Sequence, residues 1–171
     1  MVARFLALLA VVVATACAHY GANLKPGQSV LGDVEREMGA PTLVRETPNG
    51  ERVLWYSKLP YGRENYAVRI GPDQRVIAVQ QRLSHEFISK IVPRQTRAEE
   101  VLDLLGPPYR RSGMPRKNRE VWDYPLLTSP EYQTLFVEIS PEGVVQELYQ
   151  LHDRDRGGFF LGSGVFFGFG F

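Results

Sequence analysis

Two similar stretches decide the architecture of this chain: PGQSVLGDVEREMGAP, from Pro26 to Pro41, and PRQTRAEEVLDLLGPP, from Pro93 to Pro108. They align without a gap at a constant offset of 67 residues. The same offset carries Trp55 onto Trp122, the only two tryptophans of the chain. Repetition at a fixed period is typical of duplicated structural units. The sequence therefore predicts two tandem copies of one unit, with the boundary near residues 83 and 84.

Each stretch predicts a short helix. In the second copy, Thr96 is the expected N-cap and Glu99 completes a capping box. Val101 and Leu105 then fall on one face at helical spacing, and Gly106 ends the helix. The first copy repeats this pattern. The predicted helices are 30–38 and 98–105, with a shorter one at 84–91.

Strands are predicted after each helix, because apolar and polar residues alternate there between turns rich in Gly and Pro. The predicted strands are 53–56, 66–70 and 76–83 in the first copy, and 121–124, 135–139 and 144–151 in the second. The expected class is α+β, with one or two short helices packed on a three-stranded antiparallel sheet in each repeat. A unit of about 60 residues is marginal alone, so the two copies are expected to pack together or to share a continuous sheet.

The first residues resemble a bacterial lipoprotein signal. A positive segment ending at Arg4 precedes an apolar run from Phe5 to Ala16, which is too short to span a bilayer but suits a signal peptide. The only cysteine, Cys17, follows at once, as in a lipobox, where a diacylglycerol is attached to the thiol and the chain is cut before it. Ordinary cleavage nearby, leaving a free Cys17, is the alternative. Ala18 resembles the residue found in lipoproteins sent to the outer membrane.

The repeated pattern resembles a known family. A polar cap, an apolar helix closed by Leu/Met-Gly-x-Pro, a Trp strand and a hairpin are similar to the SmpA/OmlA (BamE-like) outer-membrane lipoprotein domain. The same fold in tandem is that of the β-lactamase-inhibitor proteins. The resemblance covers residues 24 to 152. Gln28 departs from it, since the family usually has Met there, and Arg94 replaces a turn glycine.

The resemblance implies a lipoprotein anchored in the outer membrane and facing the periplasm. Its expected role is to bind envelope proteins without catalysis, in β-barrel assembly or envelope maintenance. An inhibitor-like module that caps a periplasmic or secreted enzyme through its exposed sheet is the alternative. The expected segments are a signal peptide at 1–16, a lipidated linker at 17–23, repeats at 24–83 and 84–152, and a Gly/Phe-rich tail at 153–171.

Composition argues against several functional classes. Twenty Lys and Arg against 19 Asp and Glu give a net charge of +1, which does not favour nucleic acid. One cysteine and three histidines leave little material for a metal site. We expect no enzyme activity, no small-molecule substrate and no cofactor other than covalent lipid, such as palmitate, on Cys17. The basic stretch 110–119 is interpreted as a solvated loop, with acidic lipid headgroups as its alternative ligand.

Aromatic residues are the candidate partner-binding sites. Tyr61 and Tyr132 are predicted in or beside hairpin loops, and Tyr gives contact area at low entropic cost. The tail after residue 156 holds six of the nine phenylalanines and ends on Phe167, Phe169 and Phe171 at alternate positions. That alternation resembles the C-terminal signal of outer-membrane β-barrel proteins, which implies docking on the assembly machinery. The favoured interpretation is a tail that contacts the lipid interface near the anchor or stays disordered.

Overall fold

The computed structural model describes residues 20–128 and 132–153. Two four-stranded antiparallel sheets follow one another along the chain, each in sequential strand order. The first sheet holds β1 (Leu43–Glu46), β2 (Arg52–Ser57), β3 (Asn65–Ile70) and β4 (Val76–Gln81). The second holds β5 (Arg110–Met114), β6 (Arg119–Leu126), β7 (Gln133–Ile139) and β8 (Val145–His152). The helices are α1 (Leu31–Met38), α2 (His85–Ile88) and α3 (Ala98–Leu105), with a 3₁₀ turn at Pro115–Lys117.

The tandem arrangement is confirmed as two sheet units whose local hydrogen bonds repeat. The amide of Leu31 donates to the Gln74 carbonyl at 3.0 Å, and the amide of Ala98 donates to the Gly143 carbonyl at 2.8 Å. Both bonds join the start of a helix to the turn before the last strand of its unit. Each unit also has one register shift, at Ile70 and at Ile139. The helix is therefore tied to the same end of the sheet in both copies.

The prediction of three strands in each sheet is wrong, because each sheet has a fourth strand at its edge. Gly39 and Gly106 end the helices, and the chain then turns back to pair with the next strand. The amide of Thr42 donates to the Trp55 carbonyl at 2.7 Å, and that of Tyr109 to the Asp123 carbonyl at 2.9 Å. These bonds start β1 and β5, whose sequences LVRE and RRSGM lack a run of apolar residues.

The class is mainly β, so the α+β expectation holds only in its coarse form of two tandem sheet units. Helices α1 and α3 have eight residues each and α2 has four, against eight strands. They still contribute buried side chains, because their apolar stripes face the sheets: Val34 and Met38 from α1, and Val101 and Leu105 from α3. Within the described ranges, no helix is long and apolar enough to cross a membrane.

The expected capping box at Thr96 is also wrong by one residue. Thr96 is buried, and its hydroxyl accepts a hydrogen bond from the Val92 amide at 2.9 Å, which closes the turn before the helix. Arg97 is the N-cap instead, and its amide donates to the Glu100 carboxylate at 2.6 Å. The carboxylate at the third helical position thus satisfies a backbone donor that the helix leaves open.

The two tryptophans that the repeat aligns lie on opposite faces of their sheets. Trp122 packs in the core of the second unit beside Tyr124, whereas Trp55 is absent from the core of the first unit, which takes Leu54 and Tyr56. Tyr56 and Tyr124 are the equivalent pair, since their hydroxyls donate to the carbonyls of the two helix-ending glycines at 3.3 Å and 2.9 Å. Strand β6 is therefore displaced by one residue from the sequence alignment, which reverses its faces.

Helix α3 joins the units, because it lies between the two sheets. One side of it fills the core of the second unit. Its C-terminal end lies on the first sheet, where the Asn65 amide nitrogen donates to the Leu105 carbonyl at 2.8 Å and to the Pro107 carbonyl at 3.0 Å. Arg45 on β1 pairs with Asp103 at 3.1 Å. The order of layers is therefore α1, first sheet, α2 and α3, second sheet.

The packed part of the first unit begins at Tyr20, inside the segment 17–23 expected as linker. The Tyr20 ring makes edge contacts with Tyr56 and Tyr66, with ring centroids 6.2 Å and 5.5 Å away. Its hydroxyl donates to the Met38 carbonyl at 2.7 Å. The chain is thus held against the core from Tyr20 onward.

Candidate protein-binding surface

The second sheet has one face that the helices do not cover. On β7, the side chains of Leu135, Val137 and Ile139 enter the core, so alternation directs Phe136 and Glu138 to the other side. We call this side the outer face. It is formed by Asp123, Thr134, Phe136, Glu138, Glu147 and Tyr149. None of these residues belongs to either hydrophobic core of the described chain.

An aromatic pair marks the centre of the outer face. Phe136 and Tyr149 are directly opposite on β7 and β8, and their rings stack with centroids 5.3 Å apart and planes at 19°. Both rings are half-buried, and Leu151 beside them is 43% exposed. Stacked aromatic residues that keep contact with solvent are typical of protein-binding surfaces, where they offer rigid area. Burial raises the pKa of Tyr149, and the neighbouring carboxylate of Glu138 raises it further.

A network of charges borders the aromatic pair. Glu138 is only 1% exposed, and its carboxylate accepts hydrogen bonds from Lys117 at 3.2 Å and from Arg119 at 2.6 Å. The same two cations reach Glu147 at 3.2 Å and 2.9 Å. A buried carboxylate is tolerated when it is paired and hydrogen-bonded in this way. These bonds raise the pKa of Lys117 and of Arg119, and the bonds from Arg119 and Lys117 lower the pKa of Glu147.

A second buried acid lies further along the same face. Asp123 is 1% exposed, and Arg110 donates to one of its oxygens from two nitrogens, at 3.0 Å and 2.6 Å. The basic stretch 110–119 is therefore not the solvated loop that its sequence indicated. It forms β5, the 3₁₀ turn and the start of β6, and three of its cations neutralise carboxylates of the sheet.

The two tyrosines predicted for partner contact lie near the junction of the units. Tyr61 is 95% exposed in the loop between β2 and β3, and Tyr132 is 55% exposed before β7. Arg63, two residues after Tyr61, stacks its guanidinium over the Tyr132 ring at 4.2 Å and pairs with Asp153 at 2.5 Å. It also donates to the carbonyls of Leu126 and Gln133, both at 3.4 Å. The loop of the first unit is thus fixed against the second unit.

The other predicted site residues cannot be placed. Cys17, Phe167, Phe169 and Phe171 lie outside the described residues. The sequence analysis predicts an exposed sheet face for the inhibitor-like alternative but names none of its residues, although a signal for them is present. Once Leu135, Val137 and Ile139 are taken as core residues, the intervening positions must face away from the core, and both an aromatic and a carboxylate stand there.

The outer face also ends in an edge strand. Within the described chain β8 pairs only with β7, in an antiparallel ladder that runs from Gln133–His152 to Ile139–Val145. The amide of Asp153 donates to the Tyr132 carbonyl at 2.9 Å. Because antiparallel ladders alternate, the backbone groups of Leu148 and Gln150 point to the free edge. An edge of this kind can accept a further strand from a partner.

The described residues of this surface do not form a metal site. In residues 20–128 and 132–153, no group of three or more His, Cys, Asp or Glu could hold a metal ion. The arrangement can instead offer aromatic area, fixed charges and an open strand edge, which are the elements of protein recognition.

Comparisons with known proteins give little further information. The chain matches no protein-family model and no curated protein. A solved structure of a DUF4309 family protein (YjgB) from Bacillus subtilis subsp. subtilis str. 168 is similar at 17% sequence identity and a TM-score of 0.31. The match covers 77% of this chain and 83% of that chain.

Proposed function

We propose that this chain is a lipid-anchored protein of the outer membrane that binds envelope proteins on the periplasmic side through the outer face of its second sheet. Cys17 carries the lipid, and the folded units bind without catalysis. The assembly machinery of outer-membrane β-barrels is the proposed partner, following the resemblance to the SmpA/OmlA (BamE-like) domain. The proposal assigns no substrate and no cofactor beyond the lipid.

One observation carries the binding surface in this proposal. On the first sheet, the side away from α1 is covered by α3, so that Trp55 is 1% exposed and Asn65 is fully buried. The outer face is the matching side of the second sheet, and Phe136 and Tyr149 there remain partly accessible. In the second unit this surface keeps Phe136 and Tyr149 partly exposed, while Asp123, Thr134 and Glu138 on the same face are buried. Exposed aromatic area of this kind supports a role in protein binding.

The outer face also has the polar border expected of a binding site. Paired charges surround the stacked rings, and a rim of this kind gives orientation and selectivity more than affinity. The free edge of β8 adds backbone groups that recognise an extended segment. The alternative of an inhibitor-like module would use the same face against a soluble enzyme and would not need the anchor at Cys17.

The test is site-specific photo-crosslinking in cells that express the full chain. A photoreactive phenylalanine analogue at Tyr149 is expected to crosslink to one defined outer-membrane protein, identified by mass spectrometry. The matched control places the analogue at Ile77, which is 38% exposed on β4, the corresponding edge strand of the first sheet. Equal crosslinking from both positions, or none from Tyr149, would remove the proposed surface. A crosslink only to a soluble enzyme would favour the inhibitor-like module.

A further inference from the structure

A cleft of about 630 Å³ lies on the first sheet, bordered by Asp103 of α3, and none of its lining residues belongs to the outer face. Three guanidinium groups line it, from Arg45, Arg69 and Arg82, together with the Trp55 ring. Arg45 pairs with Asp103 at 3.1 Å, and Arg69 pairs with Glu51 at 2.6 Å. Two of the three cations thus have a carboxylate partner.

Arg82 is the cation that lacks an acidic partner. In the described part of the chain no carboxylate lies within ion-pair distance of it, and its guanidinium instead lies over the Phe87 ring at 4.3 Å. Glu86 attracts it from a distance but is itself paired with Lys90 at 3.2 Å. Burial and the neighbouring Arg69 both lower the pKa of Arg82, so its charge is poorly compensated. Glu46 also borders the cleft, but alternation along β1 directs it to the face opposite Arg45.

Two residues that line the cleft each carry a buried N–H donor for which the described residues offer no acceptor. The Nε of Arg82 and the Nε1 of Trp55 are both shielded from solvent, and neither finds a hydrogen-bond partner among the described residues. The benzene edge of Trp55 lies against Gly106, so the edge with Nε1 is the one turned away from that contact. Buried N–H groups nearly always have a hydrogen-bond acceptor. An anion could supply acceptors for these two donors and also balance the charge of Arg82.

We propose that this cleft binds an oxyanion, a carboxylate or a phosphate group, through Arg82 and the indole N–H of Trp55. Arg69 lies near Arg82, and its pairing with Glu51 holds it in place and compensates its charge, so Arg82 supplies the charge that attracts the anion. The ligand needs no metal, because guanidinium and indole groups are both donors. This site is separate from the outer face and does not depend on the proposed function.

The test is an NMR titration of the full mature chain in detergent micelles, observing the two indole N–H signals. Sodium acetate and sodium phosphate are added at constant ionic strength, with sodium chloride as the balance. We expect the signal of Trp55 to shift with saturation and the signal of Trp122 to remain in place. Trp122 is a matched control, because its Nε1 is also buried without a partner but Arg111, not an open cleft, covers its ring at 4.2 Å. Trp55→Phe identifies the signal.

Substitutions separate a bound anion from a general salt effect. Arg82→Gln is expected to weaken the response at least tenfold, and Arg75→Gln, which removes an exposed charge on the turn before β4, is expected to leave it unchanged. An unchanged Trp122 signal in each variant reports that the fold is intact. If Arg82→Gln does not fold, Arg82→Lys is the replacement, because it keeps the charge but removes the Nε donor. Tighter binding of phosphate assigns a phosphorylated ligand, and tighter binding of acetate assigns a carboxylate. A response that does not saturate, that moves both indoles together, or that persists in Arg82→Gln overturns the proposal.

Discussion

Replacing Gly106 by alanine should destabilise the protein more than the same change at Gly39, although the two glycines end equivalent helices. Both adopt a left-handed backbone, with φ of 80° at Gly106 and 77° at Gly39. The surroundings differ. A Cβ added at Gly106 would be closer than van der Waals contact to three ring atoms of Trp55, with Cζ3 at 2.7 Å, whereas a Cβ at Gly39 would meet no atom within 4 Å. The comparison therefore isolates the contact between α3 and the first sheet.

The expected loss of stability has two contributions, the backbone conformation of the glycine and the contact with Trp55. The backbone conformation is almost restricted to glycine, so a side chain there costs about 1–3 kcal/mol in either helix. At Gly106 the methyl group must also displace Trp55, and overpacking a buried contact costs about 1–3 kcal/mol more. Trp55 is 1% exposed and stands on a paired strand, so the ring cannot move away without a shift of the sheet. We expect the free energy of unfolding to fall by about 2 kcal/mol more for Gly106→Ala than for Gly39→Ala.

The assay is urea unfolding of the two variants and the parent chain, followed by tryptophan fluorescence. The Trp55 environment is expected to change in the folded state of Gly106→Ala and to stay unchanged in Gly39→Ala. Equal losses of stability would refute the packing of α3 on the first sheet, because the backbone term alone would then account for both variants.

Five more results are expected. Leu105→Ala should lower the free energy of unfolding by about 2–5 kcal/mol, because Leu105 is fully buried in the second core; a loss below this range in denaturant unfolding would exclude it as a core anchor. Cys17→Ser should abolish lipid labelling and release the protein from the membrane fraction, and an unmodified mature amino terminus at or beyond Cys17 would contradict the lipoprotein prediction. Because of Ala18, density-gradient separation should place the wild-type protein in the outer membrane. Shuffling residues 157–171 should abolish crosslinking of the tail to the assembly machinery, since strand addition needs alternating rings; crosslinking that survives would leave only the lipid-contact interpretation. Hydrogen bonds from the guanidinium and ammonium groups beside Glu147 lower its pKa in the folded state, so its contribution to stability is present above its unfolded pKa and lost as the pH falls through the folded value. Glu147→Gln should therefore flatten acid unfolding below pH of about 4.5, and an unchanged acid transition would show that this carboxylate is not coupled to folding.

The helices could be predicted from the sequence because their signals are local. The apolar stripe of α3 and the glycine after it fix both the buried face and the end of the helix, and the structure places α3 at Ala98–Leu105. The predicted N-cap is wrong by one residue because the Thr96 hydroxyl can accept a hydrogen bond either from the helix or from the preceding turn. It accepts from the Val92 amide in that turn, and such local alternatives are characteristic of Ser and Thr.

The edge strands and the register depended on contacts that no local pattern encodes. Strand β5 is rich in arginine and glycine, and it is a strand because its neighbour β6 offers a ladder and because buried Asp123 holds Arg110. The alignment of Trp55 with Trp122 could not predict that the two rings lie on opposite faces, since tyrosine hydroxyls bonded to the helix-ending glycines mark a different register. When a strand is displaced by one residue, every side chain on it moves to the other face of the sheet.

The position of α3 between the sheets also gives the two units an unequal dependence on each other during synthesis. The strands of the first sheet are complete once Gln81 has been added, but Trp55 and Asn65 on that sheet contact Leu105, Gly106 and Pro107, which are added later. During synthesis the first sheet therefore exposes Trp55 until α3 has been added. The second sheet follows α3 in the chain, so its helix is already present when its strands are made. A chain truncated between the two units would leave the Trp55 side of the first sheet exposed to solvent. Exposed apolar surface of this kind promotes aggregation and chaperone binding.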